Sequence, residues 1–346
     1  MEKVKKNDVI KVKVTGVQKY GAFVNSEDNN YDGLIHISEI SYGYVKNVND
    51  YLKIGDSIYA EVVEVSDKDN QLKLSIKDIN KYMNKGFKFI YEYIDHLSPE
   101  LAGTLTLPTN ITDKYNYAMS NTDVYVVVTA DILMNDVINK RGNKNLVYSS
   151  NGVDYKFFQE FGEHKLDYNF AEVFKNGKRN VCYYGALAKW FDYDLIKEIA
   201  CSNKYNVILF GIKYDESYDQ NITGKEENIY FFGPKDYSEL KYYARNCDIL
   251  MVPFLINDIT KSTNPVKIFE YMALKKPIVT TDLNECKKYK SIFIGKNHSD
   301  FIKKLEESYF LRNDKDYLKL LDKEARENDW SKKAEAIINL VKKDEK

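Results

Sequence analysis

Short runs of alternating apolar and polar residues fill the first eighty positions of the chain. In "IKVKVTGV", Ile10, Val12 and Val14 share one face, and "QLKLSIK" repeats the pattern with Leu72 and Leu74. Such alternation with a period of two predicts half-buried strands. The runs "YGAFV", "GLIHISEI" and "DSIYAEVVEV" bring the number of strands to five, which predicts a small closed all-β barrel of the OB-fold type.

Compact apolar runs replace this alternation after residue 80. Three of them predict strands, "FKFIYEYID" (87–95), "DVYVVVTA" (123–130) and "NLVYSS" (145–150). The stretch between the last two predicts a short helix that ends near Gly142. Apolar strands alternating with helices indicate a parallel sheet covered on both faces. Since a doubly wound domain normally has about five or six strands, this segment predicts only a partial Rossmann-like domain.

The remainder of the chain predicts a complete doubly wound α/β domain. Helical stretches separate most of its six strand candidates, which lie at 180–186, 206–212, 228–234, 248–254, 276–281 and 291–295. In open parallel sheets the ligand binds at the carboxyl ends of the strands. We therefore expect Gly185 and Gly233, which end two of these runs, to lie at the ligand-binding edge.

The stretch "KSTNPVKIFEYMALKKP" predicts a helix near this edge. Ser262 and Thr263 are residue types that cap helices, and Pro265 suits the first helical position. The predicted apolar face consists of Val266, Phe269, Met272 and Ala273.

Lys267 and Glu270 lie three residues apart in the first turns of this helix, where a cation opposes the helix dipole. One interpretation is an exposed ion pair worth about 0.2–0.5 kcal/mol. The other is a diphosphate bound by backbone N–H groups and Lys267, with Glu270 accepting from ribose hydroxyls. Spacing alone leaves both interpretations open.

Gly185 and Lys189 in "YYGALAKW" form a second candidate phosphate contact. One glycine, however, more often marks an ordinary tight turn.

Composition narrows the class of protein. The 346 residues suit two or three domains, and 44% hydrophobic with 30% charged residues is typical of a soluble globular protein. The net charge of −1 predicts no general attraction to polyanions. Four scattered cysteines predict neither a zinc site nor a disulfide framework. Because no apolar run is long enough for a signal peptide or a transmembrane helix, we expect a cytoplasmic protein.

Residues 4–79 resemble the S1 RNA-binding domain through "VTGVQKYGAFV", "GLIHISEISYGYVKNVNDYLKIGD" and "EVVEVSDKDNQLKLSIKD". The resemblance is to small bacterial S1 proteins associated with ribosomes and general stress. It implies binding of single-stranded RNA, or of the ribosome, through one barrel face. That face would carry Tyr20, Phe23, His36, Asp67 and Gln71, the last of these where an arginine is common. The first eighty residues hold 11 Lys and 13 Asp or Glu, a net charge of −2, so we expect weak binding.

From about residue 85 the chain resembles a GT-B glycosyltransferase of the broad family 4 type. The resemblance rests on "NLVYSSNGVDYKFF", "NVCYYGALAKWFDYDLIKEIA", "NIYFFGPKDYSELKYYARNCDILMVPF" and "STNPVKIFEYMALKKPIVTTDL". It implies a nucleotide diphosphate sugar as donor, and no metal or other cofactor.

Site residues follow from this second resemblance. It implies that Glu270 binds the donor ribose and that Lys189 and Lys267 face the diphosphate. The backbone at Thr263 and Asn264 would assist, and Gly185 would line the phosphate loop. Lys267 and Glu270 are then the candidate catalytic residues. The acceptor would be a cell-envelope glycan or lipid precursor, which would bring the protein to a membrane surface.

The sequence thus predicts three parts, an S1-type barrel at 1–80, a partial Rossmann-like acceptor domain at 81–165 and a complete Rossmann-like nucleotide-sugar-binding domain at 166–346, whose end, "WSKKAEAIINLV", resembles the closing helix of the glycosyltransferase family. In the resemblance the first strands of the acceptor domain are missing, and the barrel stands in their place. Two functions remain open. The first is transfer of a glycosyl group, with RNA binding by the barrel. The alternative is an RNA-binding S1 protein whose glycosyltransferase module is degenerate and non-catalytic.

Overall fold

A computed structural model describes residues 4–26, 31–41, 45–66, 71–77, 88–98 and 109–342. The chain divides into two compact units. The first comprises Met1–Tyr91 with Leu107–Tyr125, and the second Glu92–Thr106 with Val126–Lys346. The predicted boundaries at residues 80 and 165 stay predictions.

The first unit contains a closed barrel of five strands in the order β1-β2-β3-β5-β4. The strands are β1 (Val9–Gln18), β2 (Gly21–Ser26), β3 (Asp32–His36), β4 (Ser57–Ser66) and β5 (Gln71–Ser75). β3 and β5 pair in parallel, whereas β1 with β2, β1 with β4, β2 with β3 and β4 with β5 pair antiparallel. The alternation of the sequence is confirmed, because Val12, Val14, Leu72 and Leu74 point into the buried core. Helix α1 (Thr109–Ser120) also lies in this unit.

Three strands form the middle sheet, in the order β6-β7-β8. They are β6 (Ile90–Tyr93), β7 (Tyr125–Val128) and β8 (Leu146–Tyr148), and β7 pairs with β8 in parallel. Between them, α2 (Asp131–Arg141) ends at Gly142, whose φ of 80° suits a glycine. The predicted strands and helix of this segment are therefore present.

The second unit is dominated by a six-stranded parallel sheet in the order β11-β10-β9-β12-β13-β14. Its strands are β9 (Arg179–Tyr184), β10 (Tyr205–Phe210), β11 (Ile229–Phe231), β12 (Ile249–Val252), β13 (Ile278–Thr281) and β14 (Ile292–Gly295). All six predicted strands are confirmed. The strand order reverses between β9 and β12, and a crevice at such a reversal is where open α/β sheets bind ligands.

Helices cover this sheet and continue to the end of the described chain. They are α3 (Tyr155–Gln159), α4 (Tyr168–Val173), α5 (Tyr193–Cys201), α6 (Ser217–Asn221), α7 (Tyr237–Asn246), α8 (Val266–Ala273), α9 (His298–Leu311), α10 (Lys315–Glu327) and α11 (Trp330–Lys342). Within the described part of the chain, 3-10 turns accompany the helices and strands at Ile37–Glu39, Val48–Asp50, Phe174–Asn176, Thr260–Ser262 and Glu285–Lys288. Of the helices that the structure describes, none is long and apolar enough to cross a bilayer.

Candidate functional site

Helix α8 begins at Val266, directly after Pro265, and packs into the core through Ile268, Phe269 and Met272. The capping prediction is wrong, because the hydroxyls of Ser262 and Thr263 both donate backwards to the carbonyl of Ile259, at 3.0 and 3.1 Å. No described side chain caps α8. Val266 was also predicted to be buried, but it is 36% exposed. The uncapped first turn presents backbone N–H groups, which favour an anion.

The side chain of Lys267 crosses from this first turn to the loop after β9. A Cβ built on Gly185 would stand 2.2 Å from Lys267 Cε and 2.7 Å from Nζ, so the lysine rests directly on the glycine. Burial lowers the pKa of Lys267, and the charge of Glu270 counteracts that effect in part. Among the residues described, no hydrogen bond or ion pair involves the Lys267 ammonium. A half-buried cation of this kind is suited to an anionic ligand.

Glu270 is 4% exposed, and hydroxyl groups occupy both of its oxygens. Tyr184 donates to Oε2 and Tyr237 donates to Oε1, each at 2.7 Å. Burial, followed by the charge of Glu270, raises the pKa of Tyr184 and also that of Tyr237. Sequence reasoning missed both tyrosines, which lie 86 and 33 residues from Glu270.

Asn264 belongs to a buried polar network rather than to the surface of the crevice. Its Oδ1 accepts from the Asn151 amide at 3.2 Å, and its carbonyl accepts from Asn151 Nδ2 at 2.6 Å. Its Nδ2 donates to Glu285 at 3.3 Å. The Thr263 amide is also engaged, since it donates to the carbonyl of Thr260 at 3.2 Å. The network fixes the segment that leads into α8.

Glu285 is the centre of this network and is 1% exposed. It accepts from the Asp131 amide at 2.8 Å and from the Tyr148 hydroxyl at 2.7 Å, and it pairs with Lys288 at 2.9 Å. The carboxylate therefore lies at the amino end of α2 and beside β8. Because Asn264 is bonded to the same group, the entry to α8 is tied to the middle sheet.

Lys189 lies exposed in the loop after β9. Its amide donates to Asp215 at 3.0 Å. Burial raises the pKa of Asp215, but hydrogen bonds from Ser217 and Lys189, with the charge of Lys189, leave that pKa lowered. The structure thus places Lys189 beside a carboxylate of the next loop, whereas it brings Lys267, Gly185 and Glu270 together.

The barrel presents an aromatic pair on its outer surface. Tyr20 and Phe23 are 49% and 41% exposed, and their rings meet edge to face at 6.2 Å. His36 is exposed opposite Gly21, where a Cβ would come within 2.3 Å of the Ile35 carbonyl. The ring of His36 bonds Ser38 at 2.8 Å.

Gln71 is also exposed. It pairs with Asp32 in the register of β3 and β5, four residues along β3 from His36, so Gln71 and His36 lie on the same face of the barrel. Asp67 lies outside the described residues. Lys73 was missed as a candidate, although the alternation of "QLKLSIK" already placed it on the face of Gln71. It pairs with Leu34, the cross-strand neighbour of Phe23, and forms an exposed ion pair with Glu64 at 2.6 Å.

A candidate metal site was not predicted, and within the described ranges no group of three or more His, Cys, Asp or Glu side chains is arranged to hold a metal ion.

Two families match this architecture. Residues 3–77 match the S1 RNA binding domain, and residues 178–308 match the group 1 glycosyl transferases. The chain therefore carries an S1 domain at its amino-terminal end and a group 1 glycosyltransferase domain in its carboxy-terminal part. The predicted fold class, a barrel of OB type followed by a GT-B-like α/β part, is confirmed.

Individual relatives match one or the other part. General stress protein 13 of Bacillus subtilis is 45% identical over 65 residues, which are 19% of this chain and 49% of that protein. TuaH of Bacillus subtilis, provisionally named a teichuronic acid biosynthesis glycosyltransferase, is 22% identical over 262 residues. That match covers 70% of this chain and 64% of TuaH. The chain thus spans less than two thirds of either relative.

Solved structures support the fold of the larger part. A glycosyltransferase from Rickettsia africae matches with a TM-score of 0.51 at 15% identity, over 74% of this chain and 71% of its own. Sucrose-phosphate synthase from Thermosynechococcus elongatus matches with a TM-score of 0.52 at 13% identity, over 74% and 68%. At these identities the likeness establishes the fold alone. The alternative of a degenerate glycosyltransferase module gains no support from these matches.

Proposed function

We propose that the chain binds a nucleotide diphosphate sugar at the amino end of α8 and transfers its glycosyl group to an acceptor. The observation that carries this proposal is the half-buried Lys267 ammonium, which rests on Gly185 beside the point where the strand order reverses. The first turn of α8 offers backbone N–H donors, and Lys267 adds a positive charge. Together these two features favour binding of a diphosphate. Glu270, three residues further on, would accept from a ribose hydroxyl in exchange for one of its two tyrosine partners.

In the transfer step the bond between the anomeric carbon and the diphosphate oxygen breaks, and a bond from that carbon to an acceptor hydroxyl oxygen forms. The hydroxyl proton passes to the departing diphosphate or to water, and negative charge collects on the diphosphate. Lys267 and the N–H groups of α8 would stabilise that charge without a metal. For the acceptor we propose a cell-envelope saccharide. The support is the match to TuaH, whose provisional name places that protein in teichuronic acid biosynthesis.

Titration calorimetry with UDP, UDP-sugars and GDP-mannose tests the donor site. We expect the chain to bind one of these nucleotides, and Lys267→Met to weaken binding by about tenfold or more because a charge-assisted contact is lost. Lys261→Met is the matched control, since Lys261 is exposed and paired with Asp258 at 3.2 Å. Absence of binding to every nucleotide, or equal loss in both variants, would refute the proposal. Addition of EDTA should leave binding unchanged.

A second proposal concerns the barrel, which we propose binds single-stranded RNA weakly. It is supported by the exposed pair of Tyr20 and Phe23, on which bases can stack without sequence preference, and by the neighbouring His36, Gln71 and Lys73. The net charge of −2 over the first eighty residues argues for stacking rather than for a broad electrostatic contribution.

Fluorescence anisotropy with a labelled RNA oligonucleotide tests this second proposal. Because stacking contributes about 1–3 kcal/mol per base, the double variant Tyr20→Ala with Phe23→Ala should weaken binding by about tenfold or more. Tyr51→Ala is the control, since Tyr51 is 37% exposed in the same barrel but lies outside the predicted face. Unchanged binding in the double variant would show that the rings do not contact RNA.

A further inference from the structure

The two oxygens of Glu270 face different surroundings. Oε2 is directed to the core, where it accepts from the hydroxyl of Tyr184, a residue that is 3% exposed. Oε1 accepts from Tyr237, which is 54% exposed. Tyr184 is part of the core, and it packs edge to face on Tyr271 at 5.1 Å. Tyr184 therefore holds the carboxylate in place, while Tyr237 covers its outer oxygen.

Tyr237 is the first residue of α7 and lies over the entrance to Glu270. One face of its ring stacks on Phe157 at 5.5 Å with an interplanar angle of 7°, and its edge meets Phe158 at 6.0 Å. Tyr237 nevertheless remains 54% exposed to solvent. An outward turn of the ring would break its contacts with Phe157 and Phe158, but it would leave the contacts of Tyr184 with Glu270 and Tyr271 in place.

The contact of Tyr237 with Glu270 has the chemistry expected of the ligand itself. A phenol O–H that donates to a carboxylate at 2.7 Å makes the same type of bond as a ribose hydroxyl. We propose that Tyr237 is an autoinhibitory residue whose hydroxyl occupies the position of a ribose hydroxyl on Glu270 Oε1, and that a hydroxyl of the donor ribose displaces it. This inference rests on the proposed donor site and adds a competitor to it.

Displacement makes a prediction with a definite sign. In the wild-type protein a ribose hydroxyl replaces an existing hydrogen bond to Oε1, so it adds little net affinity. After Tyr237→Phe, Oε1 has lost that donor, and the ribose gains the bond in full. The variant should bind UDP at least about threefold more tightly than the wild type, because one exchanged hydrogen bond is worth roughly that ratio or more. A Tyr237 that merely orients Glu270 would give weaker binding instead.

The nucleotide can be varied as well as the protein. With 2′,3′-dideoxy-UDP the ligand has no ribose hydroxyl to exchange, so Tyr237→Phe should not tighten its binding. The ratio of the two dissociation constants, dideoxy-UDP over UDP, should therefore rise in the variant. Tyr242→Phe is the matched control on the same helix, since the Tyr242 hydroxyl accepts from the Gly162 amide at 2.9 Å and not from Glu270.

Calorimetry on the full chain, repeated with GDP and ADP, completes the test. Tighter UDP binding with a raised ratio in Tyr237→Phe supports the inference, as does binding that only the variant shows. Equal or weaker binding by the variant overturns it while leaving the donor site intact. If neither protein binds any nucleotide, the donor site and this inference both fail. Thermal unfolding checks that the variant folds, and Tyr237→Leu is the second variant that removes the hydroxyl.

Discussion

The side chain of Lys267 occupies the space that a Cβ on residue 185 would need. Lys267 Cε would lie 2.2 Å and the Tyr183 hydroxyl 2.8 Å from that atom, and Gly185 has a φ of 142°, which other residues rarely adopt. Gly185 thus has two roles. It adopts the backbone conformation of the turn after β9, and its missing side chain leaves room for Lys267. Two residues that are 82 positions apart in the sequence form one element of the candidate site.

Replacing this glycine should displace the cation. We expect Gly185→Ala to weaken UDP binding by about tenfold or more, because the methyl group forces Lys267 out of its position. Backbone strain should also lower the free energy of unfolding by about 1–3 kcal/mol. Gly224→Ala is the control, since its φ of 78° brings similar strain but no atom lies within 4 Å of the new Cβ. Calorimetry that showed the same affinity for both variants would contradict the assignment.

The lowered pKa of Lys267 should give the proposed donor binding a pH dependence. The protonated ammonium would attract the diphosphate, so its contribution would be present below the pKa of Lys267 and would be lost as the pH rises through it. Burial, partly opposed by Glu270, places that pKa below the usual 10.5. Between about pH 7 and about pH 10, the affinity of the wild type relative to Lys267→Met should fall. The ratio at each pH cancels titration of the nucleotide, and a constant ratio would show that Lys267 does not contact the diphosphate.

Sequence patterns predicted the frame of this site because the frame depends on local regularities. The ends of apolar runs placed Gly185 at the carboxyl edge of the sheet, and helical spacing placed Lys267 and Glu270 in adjoining turns. The caps were predicted wrongly, because Ser262 and Thr263 have a competing acceptor in the Ile259 carbonyl. Residue type alone does not decide between such local partners.

The hydroxyls that cover Glu270 could not be predicted from spacing. Tyr184 and Tyr237 reach the carboxylate through the packing of β9, α7 and α8, and two tyrosines among 29 carry no distinguishing local signal. Lys73 differs, since the alternation of β5 already placed it on the outer face of the barrel. Its cross-strand neighbours, however, depend on the register of β3 with β5.

Removing Glu285 should destabilise the second unit strongly. In Glu285→Ala the half-buried Tyr148 hydroxyl, the Asp131 amide and Lys288 lose their shared acceptor, so we expect a loss of about 3–5 kcal/mol in the free energy of unfolding. Urea denaturation followed by tryptophan fluorescence measures it, because Trp190 and Trp330 both lie in this unit. Glu327→Ala is the control, since Glu327 forms an exposed ion pair with Lys323 at 3.7 Å. It should lower the free energy of unfolding by less than about 1 kcal/mol. Comparable losses would show that the network is not a structural centre.

His298 joins α9 to α5 through two carboxylates, and this contact should make stability depend on pH. Its Nδ1 lies 2.7 Å from Glu198 and its Nε2 lies 2.9 Å from Asp192, the residue that caps α5. The hydrogen bond with Glu198 raises the pKa of His298 above 6.5, burial opposes the shift, and Asp192 adds to it. Since the folded state favours the protonated ring, the stabilisation is complete below the unfolded pKa and disappears as the pH rises through the folded pKa.

The prediction is tested by comparing the wild type with His298→Asn in urea at several pH values. The His298 side chain is 34% exposed, so solvent screens its ion pairs. The difference in free energy of unfolding should therefore be no more than about 1 kcal/mol at about pH 6, and it should shrink at higher pH. Glu198→Gln should reduce the pH dependence, because it removes the leading cause of the raised pKa. A difference that stays constant with pH would mean that His298 acts by packing and not by charge.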